Sequence, residues 1–214
     1  YYSVKGLNMN LKYKYWWFDA AIPNRVCDNI RKHGLKNFLK PAITKDEIDT
    51  LEKDGKLTDE HLKILKSNVR DSNIAWIRDK WVYREIMPYI SKANKTAGWN
   101  FHYDFAEPMQ FTEYSLNQYY TFHLDCFDEP YNKPNEPGWH GKIRKLTAVA
   151  LLSDPSEFEG GQLEFDFRNF SYDEDTIWPC KEILKKGNVV VFPSFVWHQV
   201  KPVTFGKRHT LVTW

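Results

Sequence analysis

The sequence predicts an α+β chain dominated by β structure, with a double-sheet jelly roll as its core. Three observations predict it. The hydrophobic period changes from about 3.6 to 2 near residue 110. Eight short apolar or alternating segments follow that change. Gly, Pro and Asn turns separate them, a spacing that suits a barrel or a two-sheet jelly roll.

Pro23 to His33 reads as a helix, with Pro in the first turn, Val26, Cys27 and Ile30 on one face and Gly34 as its stop. Thr44 to Lys66 reads as a charged, solvated helix pair interrupted at Asp54-Gly55. Trp81 to Asn94 is a third helical stretch, with Ile86, Tyr89 and Ile90 facing inward. The strands are 110–117, 118–124, 145–153, 162–167, 177–183, 188–192, 195–200 and 207–214. The clearest is Gln162 to Phe167, which alternates polar and apolar at every step. The expectation is one domain over 1–214, with 1–100 a helical N-terminal support region packed on one sheet and 110–214 the jelly-roll core.

Composition bounds the function. A chain of 214 residues buries roughly 70% of the surface its unfolded form exposes, so a single core suffices. The formal net charge is only +2, which implies no nucleic-acid partner and no membrane surface. No apolar run approaches the ~20 residues of a membrane span, and no segment reads as a signal peptide. The chain begins at Tyr1, so its natural start is expected to lie outside it. Cys27, Cys126 and Cys180 are odd in number and unpaired in spacing, which fits a reducing, cytoplasmic compartment. Aromatics reach 16% with nine Trp; bulky rings suit strand surfaces and closed pockets, and most serve as core.

One constellation carries chemistry. His123-Leu124-Asp125 ends the strand-like run QYYTFHLD, and residues two apart on a strand share a face. His198, in FVWHQV, supplies a third donor from a distant strand. Two imidazoles and one carboxylate on one side of a metal leave open positions, the arrangement of non-haem Fe(II) oxygenases. A lone HxD is weak evidence, since the chain holds a second copy, His102-Tyr103-Asp104, which precedes the strands, has no matching third donor and reads as structural.

Arg208 follows His198 by ten residues. If 196–201 and 207–213 form a hairpin about Val203, the two lie opposite each other on one face. The guanidinium then offers a fork of donors to a carboxylate beyond the metal, suited to a diacid that chelates at its other end. Thr210 shares that face and adds a hydroxyl, whereas His209 points the other way.

These motifs together resemble the Fe(II)/2-oxoglutarate dioxygenase superfamily, and within it the prolyl 4-hydroxylase-like branch. The resemblance rests on EYSLNQYYTFHLD, EFEGGQLEF and GNVVVFPSFVWHQV, with FDAAIPNRVCDNIRKHG similar to the branch's opening strand and helix. It covers residues 16–34 and 69–214. It implies a double-stranded β-helix of cupin-like type and an enzyme that hydroxylates an unactivated C–H bond, such as a peptidyl prolyl or another amino-acid side chain, releasing succinate and CO2. It implies Fe(II) held by His123, Asp125 and His198, with 2-oxoglutarate and dioxygen as co-substrates and ascorbate as a further candidate cofactor. Arg208 then takes the distal carboxylate of 2-oxoglutarate, with Tyr114, Thr210 and Thr147 as further contacts. The branch often has Lys where this chain has Arg208. The nucleic-acid demethylases carry a second Arg six residues on, where this chain has Trp214.

For the substrate, a peptide, a protein or a small molecule remain open. Tyr120, Phe122, Phe192 and Trp197 are expected around the pocket. The long loop from Phe127 to Arg144 is a candidate lid, with Trp139 and His140 as substrate contacts. The alternative is a non-enzymatic jelly-roll module that binds a metal or a small ligand.

Overall fold

The computed structural model describes residues 11–37, 39–42, 69–170 and 175–214. The expected helix pair at 44–66 lies outside the described residues. The N-terminal part contains β1 (Trp16–Phe18), α1 (Asn24–Lys36), β2 (Lys40–Pro41), β3 (Arg70–Asp71), β4 (Asn73–Ile77) and α2 (Lys80–Thr96). The C-terminal part contains β5 (Met109–Tyr114), β6 (Tyr119–His123), β7 (Leu146–Leu151), β8 (Phe158–Gly160) and β9 (Leu163–Asp166). It continues with β10 (Ile177–Pro179), β11 (Val189–Pro193), β12 (Trp197–Val200), β13 (Val203–Gly206) and β14 (Arg208–Thr213).

Each of the eight expected segments forms a strand, and they divide evenly between two antiparallel sheets. The larger runs β1-β11-β7-β14-β5-β4-β2 and the smaller β10-β9-β12-β6-β3. This is the expected jelly roll. The support region differs from its helical expectation: β1 to β4 extend both sheets as well, in strands of at most five residues that carry too few alternations to be read.

β5, β7 and β11 are buried at every residue because the larger sheet is covered on both faces. One face packs on α1 and α2 through Ile30, Ile86, Phe111, Ala148, Val191 and Leu211. The other meets the smaller sheet through Tyr114, Val149, Leu151, Phe165, Val190 and Phe192. Strands buried on both faces lose their alternation, which is why LTAVAL and VVVFP read as continuous apolar runs.

Two local expectations are corrected. Gly34 does not stop α1, which continues to Lys36. It is needed for close approach: a Cβ there would sit 2.4 Å from the Phe111 ring. The hairpin about Val203 does not form. β13 pairs with β8 in a separate ribbon, and this diverts the chain from the smaller sheet at β12 to the larger sheet at β14.

Candidate active site

β6 and β12 are neighbours in the smaller sheet, and His123 and His198 are Cα partners across them. Their ring centroids lie 4.1 Å apart. Asp125 follows β6. Its backbone N–H donates to the Ser194 carbonyl at 2.9 Å, which ties the end of the HxD segment to the end of β11. Ligand atoms of His123, Asp125 and His198 all lie within 4.8 Å of one another.

The tautomers are set by the backbone. A carbonyl only accepts, so His123 Nδ1–H donates to Thr121 O at 2.8 Å and His198 Nδ1–H to Val196 O at 2.9 Å. Both Nε2 lone pairs are left for a ligand role, as in metal-binding histidines whose other ring N–H is held by a carbonyl. Asp125 lies between them, with Oδ1 3.7 Å from His123 Nε2 and Oδ2 3.3 Å from His198 Nε2. Burial, reinforced by His198, pushes the His123 ring down to about 3, so it is neutral near pH 7. Burial works to raise Asp125, but His198, His123 and Arg144 outweigh it and hold the carboxyl well below its ordinary range. Two imidazoles with free Nε2 atoms and one carboxylate suit a divalent first-row metal, so the residues present fit Fe(II).

A bulge shapes the pocket wall. Between His198 and Val200 on β12 the partners on β6 are His123 and Tyr120, so β6 carries one extra residue. Tyr120 and His123 therefore share a face, and Tyr120 stacks on His123 at 3.5 Å and 11°. Phe122 is turned away. The expectation that Phe122 and Trp197 line the pocket is corrected, since both lie beside the Arg168 guanidinium, 5.8 and 5.3 Å from it. Phe192 does border the site, edge-on to His198 at 4.8 Å.

Contrary to what its spacing predicts, Arg208 does not lie opposite His198. His198 pairs with His123 and Phe165 in the smaller sheet, whereas Arg208 pairs with Tyr114 in the larger one. The two thus belong to opposite walls of the interior and are not cross-strand neighbours. Arg208 is 2% exposed and forms no ion pair among the described residues; burial presses its pKa below the usual value. An arginine stays charged in such a place, so the structure holds a buried cation suited to a carboxylate. Thr210, buried, pairs with Thr112 two residues further along the same ladder. His209 faces the helices instead, with Nε2 3.1 Å from Glu113.

Thr147 is placed differently from its expected co-substrate contact. Its hydroxyl donates to Asp125 Oδ2 at 2.9 Å and lies 3.0 Å from Ser194 Oγ, so it orients the carboxylate. Trp139 lies edge-on to Phe105 and Tyr131, and these three with Arg144 and Trp214 border a cavity of about 250 Å³. His140 is a correction: it is exposed, accepts from the Lys133 N–H at 3.2 Å and does not line that cavity. The loop that carries both is closed by backbone hydrogen bonds between Tyr131 and Gly141 and between Tyr131 and Lys142. His102 and Asp104 of the second HxD are exposed, and Asp104 pairs with Lys142.

Sequence reasoning missed two arginines. Arg144 makes a bidentate pair with Glu107, 2.7 Å at each oxygen, and donates to the Asp125 carbonyl at 3.3 Å. Its guanidinium lies 3.9 Å from the Trp214 ring. Arg70, on β3, covers Tyr120. Neither sits in a periodic segment or at a motif spacing, so no local signal could have found them.

The family model for the 2OG-Fe(II) oxygenase superfamily matches residues 109–214. A PKHD-type hydroxylase of Pseudoalteromonas atlantica is 30% identical over 109 residues, covering 50% of this chain and 42% of the relative. One of Cupriavidus metallidurans is 33% identical over 110 residues, with 50% and 42% covered. The match thus spans less than half the length of these curated relatives. Among solved structures, a Pseudomonas putida prolyl-4-hydroxylase superposes with a TM-score of 0.61 at 20% identity, covering 95% of this chain and 92% of that one. A viral collagen prolyl hydroxylase from Paramecium bursaria Chlorella virus-1, solved with 2OG, gives 0.62 at 19% identity, with 96% and 97% covered. At these identities the likeness carries the fold.

Proposed function

Because the chain belongs to the 2OG-Fe(II) oxygenase superfamily through residues 109–214, we propose that it is a 2-oxoglutarate-dependent hydroxylase acting on an unactivated C–H bond. The observation that carries this reading is the His123–Asp125–His198 cluster set in one interior with the buried Arg208, which forms no ion pair among the described residues. The cluster fits a divalent metal, and Arg208 fits the far carboxylate of a diacid chelated to it. The viral structural neighbour, solved with 2OG, supports the same co-substrate.

Fe(II) with 2-oxoglutarate and dioxygen supplies the oxidising chemistry, in which the co-substrate leaves as succinate and CO2. The chain's own residues bind and orient. His123 and His198 present Nε2 because their Nδ1 protons are held by Thr121 and Val196 carbonyls. Thr147 and the Ser194 carbonyl fix Asp125. Arg208 and Tyr114 clamp the co-substrate from the larger sheet. Tyr120 and Phe192 wall the site with apolar surface and exclude water. The aromatic cavity bordered by Arg144 has none of the three donors in its lining; its link to the site is the hydrogen bond from Arg144 to the Asp125 carbonyl. The free thiols of Cys27, Cys126 and Cys180 suit a cytoplasmic setting, and no helix among the described residues is long and apolar enough to cross a membrane.

The test is titration of 2-oxoglutarate into the anaerobic Fe(II)-loaded protein, followed by the visible absorption of the chelate, and then succinate formation on admitting air. Binding abolished by His198→Ala and weakened by Arg208→Ala supports the reading. Absence of any chelate band in the parent protein sinks it.

A further inference from the structure

Arg70 is a second buried arginine that pairs with no carboxylate among the described residues. It is 8% exposed. Its Nε donates to Ser72 Oγ at 2.8 Å, and its Nη2 reaches across to the larger sheet, donating to Gln110 Oε1 at 3.1 Å. Its guanidinium lies 4.6 Å from the Tyr120 ring, which in turn stacks on His123. All of these partners are neutral, and among the described residues Arg70 forms no ion pair. The fold does pair a buried arginine where no ligand is called for: Arg144 meets both oxygens of Glu107. A buried charge is costly unless it is compensated.

The charges around the site point to what compensates it. Arg70 lies between the Tyr114 and Tyr120 phenols, hydrogen-bonded to the first, and no carboxylate among the described residues pairs with it. With the divalent metal and the dianionic co-substrate of the proposed function in place, those two cancel. Asp125 offsets one arginine, and one cation remains. Both arginines flank Tyr114: Arg208 stands opposite it on the larger sheet, while Arg70 reaches it from the smaller sheet and also covers Tyr120, the ring that packs on His123. The excess cation therefore lies close to where a substrate must approach the metal.

We propose that Arg70 binds a carboxylate of the primary substrate, so that the site selects a carboxylate-bearing molecule over its neutral counterpart. This rests on the reading of the preceding subsection. The carboxylate can belong to a free amino acid or small organic acid, or to an acidic side chain or C-terminus of a peptide. The remaining guanidinium donors make the contact, and the Tyr120 face keeps the fork oriented.

The experiment uses the protein loaded with Mn(II) and 2-oxoglutarate without oxygen, with binding read by ligand-observed NMR. The probes are free amino acids and their primary amides, N-acetyl amino acids and their amides, and short peptides with Asp or Glu against the same peptides with Asn or Gln. Some acids should bind at least tenfold more tightly than their amides, and the arm that shows this identifies the source of the carboxylate. Arg70→Gln should remove that preference while 2-oxoglutarate affinity changes by less than about twofold, and Arg70→Lys should restore part of it. No preference for acid over amide in the parent overturns the proposal, as does a preference that survives in Arg70→Gln. If Arg70→Gln instead loses 2-oxoglutarate, Arg70 is a second co-substrate anchor and the proposal is also overturned. Should neither variant fold, the parent's own preference decides. Failure of the parent to bind 2-oxoglutarate at all would instead refute the function proposed above.

Discussion

Arg208 and Tyr114 are Cα partners across the β14–β5 ladder, with the guanidinium carbon 5.7 Å from the phenol ring. The two proposed co-substrate contacts, 94 residues apart in the chain, are thus a single cross-strand pair on the inner face of the larger sheet. Neither depends on the metal ligands for its position.

That independence leads to the first expectation. Removing one partner of a buried charged pair costs about 3–5 kcal/mol, and each ~1.4 kcal/mol is tenfold in affinity. Arg208→Ala should raise the 2-oxoglutarate requirement by roughly two to three powers of ten on that scale while leaving metal affinity nearly intact. Arg208→Lys should be milder but measurable, since Lys keeps the charge and loses the fork. Titration of succinate formation, with metal binding measured separately, checks both. A parent-like titration of Arg208→Ala would remove the clamp.

Gly161 packs against the same arginine. It sits at φ +63°, and a Cβ there would lie 2.8 Å from Arg208 Cδ and 3.0 Å from Val203. Gly161→Ala should displace the guanidinium and weaken 2-oxoglutarate binding by about tenfold or more, since misplacement by even ~1 Å is costly at such a site. Metal affinity should not follow. Equal losses of metal and co-substrate would show a general distortion instead.

Thr147 supports Asp125 through a 2.9 Å hydrogen bond. Removing such a partner of a metal ligand typically costs about 10–100-fold in affinity. Thr147→Val, which keeps the shape and deletes the hydroxyl, should weaken metal binding by that order in a chelator competition. Thr147→Ser should recover most of it. An unchanged affinity for Thr147→Val would mean that the Ser194 carbonyl alone fixes Asp125.

Stability should fall on acidification for two separable reasons. His123 titrates near 6.5 when unfolded and about 3 when folded, so the unfolded state takes up its proton first. Its contribution is complete above pH 6.5 and is lost as the pH falls through about 3. The hydrogen bond from His209, with Lys207 adding, holds Glu113 at about 2 against an ordinary 4.5. That contribution is present above about 4.5 and is lost as the pH falls through about 2. Glu113→Gln should cost about 2 kcal/mol at pH 7, the worth of a hydrogen bond to a charged group, and should flatten the decline below pH 4.5. Melting curves of the metal-free protein from pH 7 to 3 measure this, and an unchanged slope in the variant would assign the decline to His123 and other groups.

The strands and the candidate metal donors were legible in the sequence alone. Alternating or continuously apolar segments punctuated by Gly and Pro are local properties, and a strand forms within each of the eight expected segments. The HxD and the distal His198 were legible because a metal needs particular donor types and a strand puts alternate residues on one face. Tertiary structure alone decided how the walls meet. Residues 201–206 look like a hairpin turn, yet β13 finds its partner in β8, some forty residues upstream, and so β12 and β14 enter different sheets. Arg208 reaches the interior by that route and not by pairing with His198. One extra residue in β6 reverses the parity that would have paired Phe122 with Tyr120 and brings Tyr120 onto His123. Arg70 and Arg144 enter the site from segments with no period at all. Each of these depends on pairing between distant residues, whose free energy is gained only once the sheets close, and no window of neighbouring residues records it.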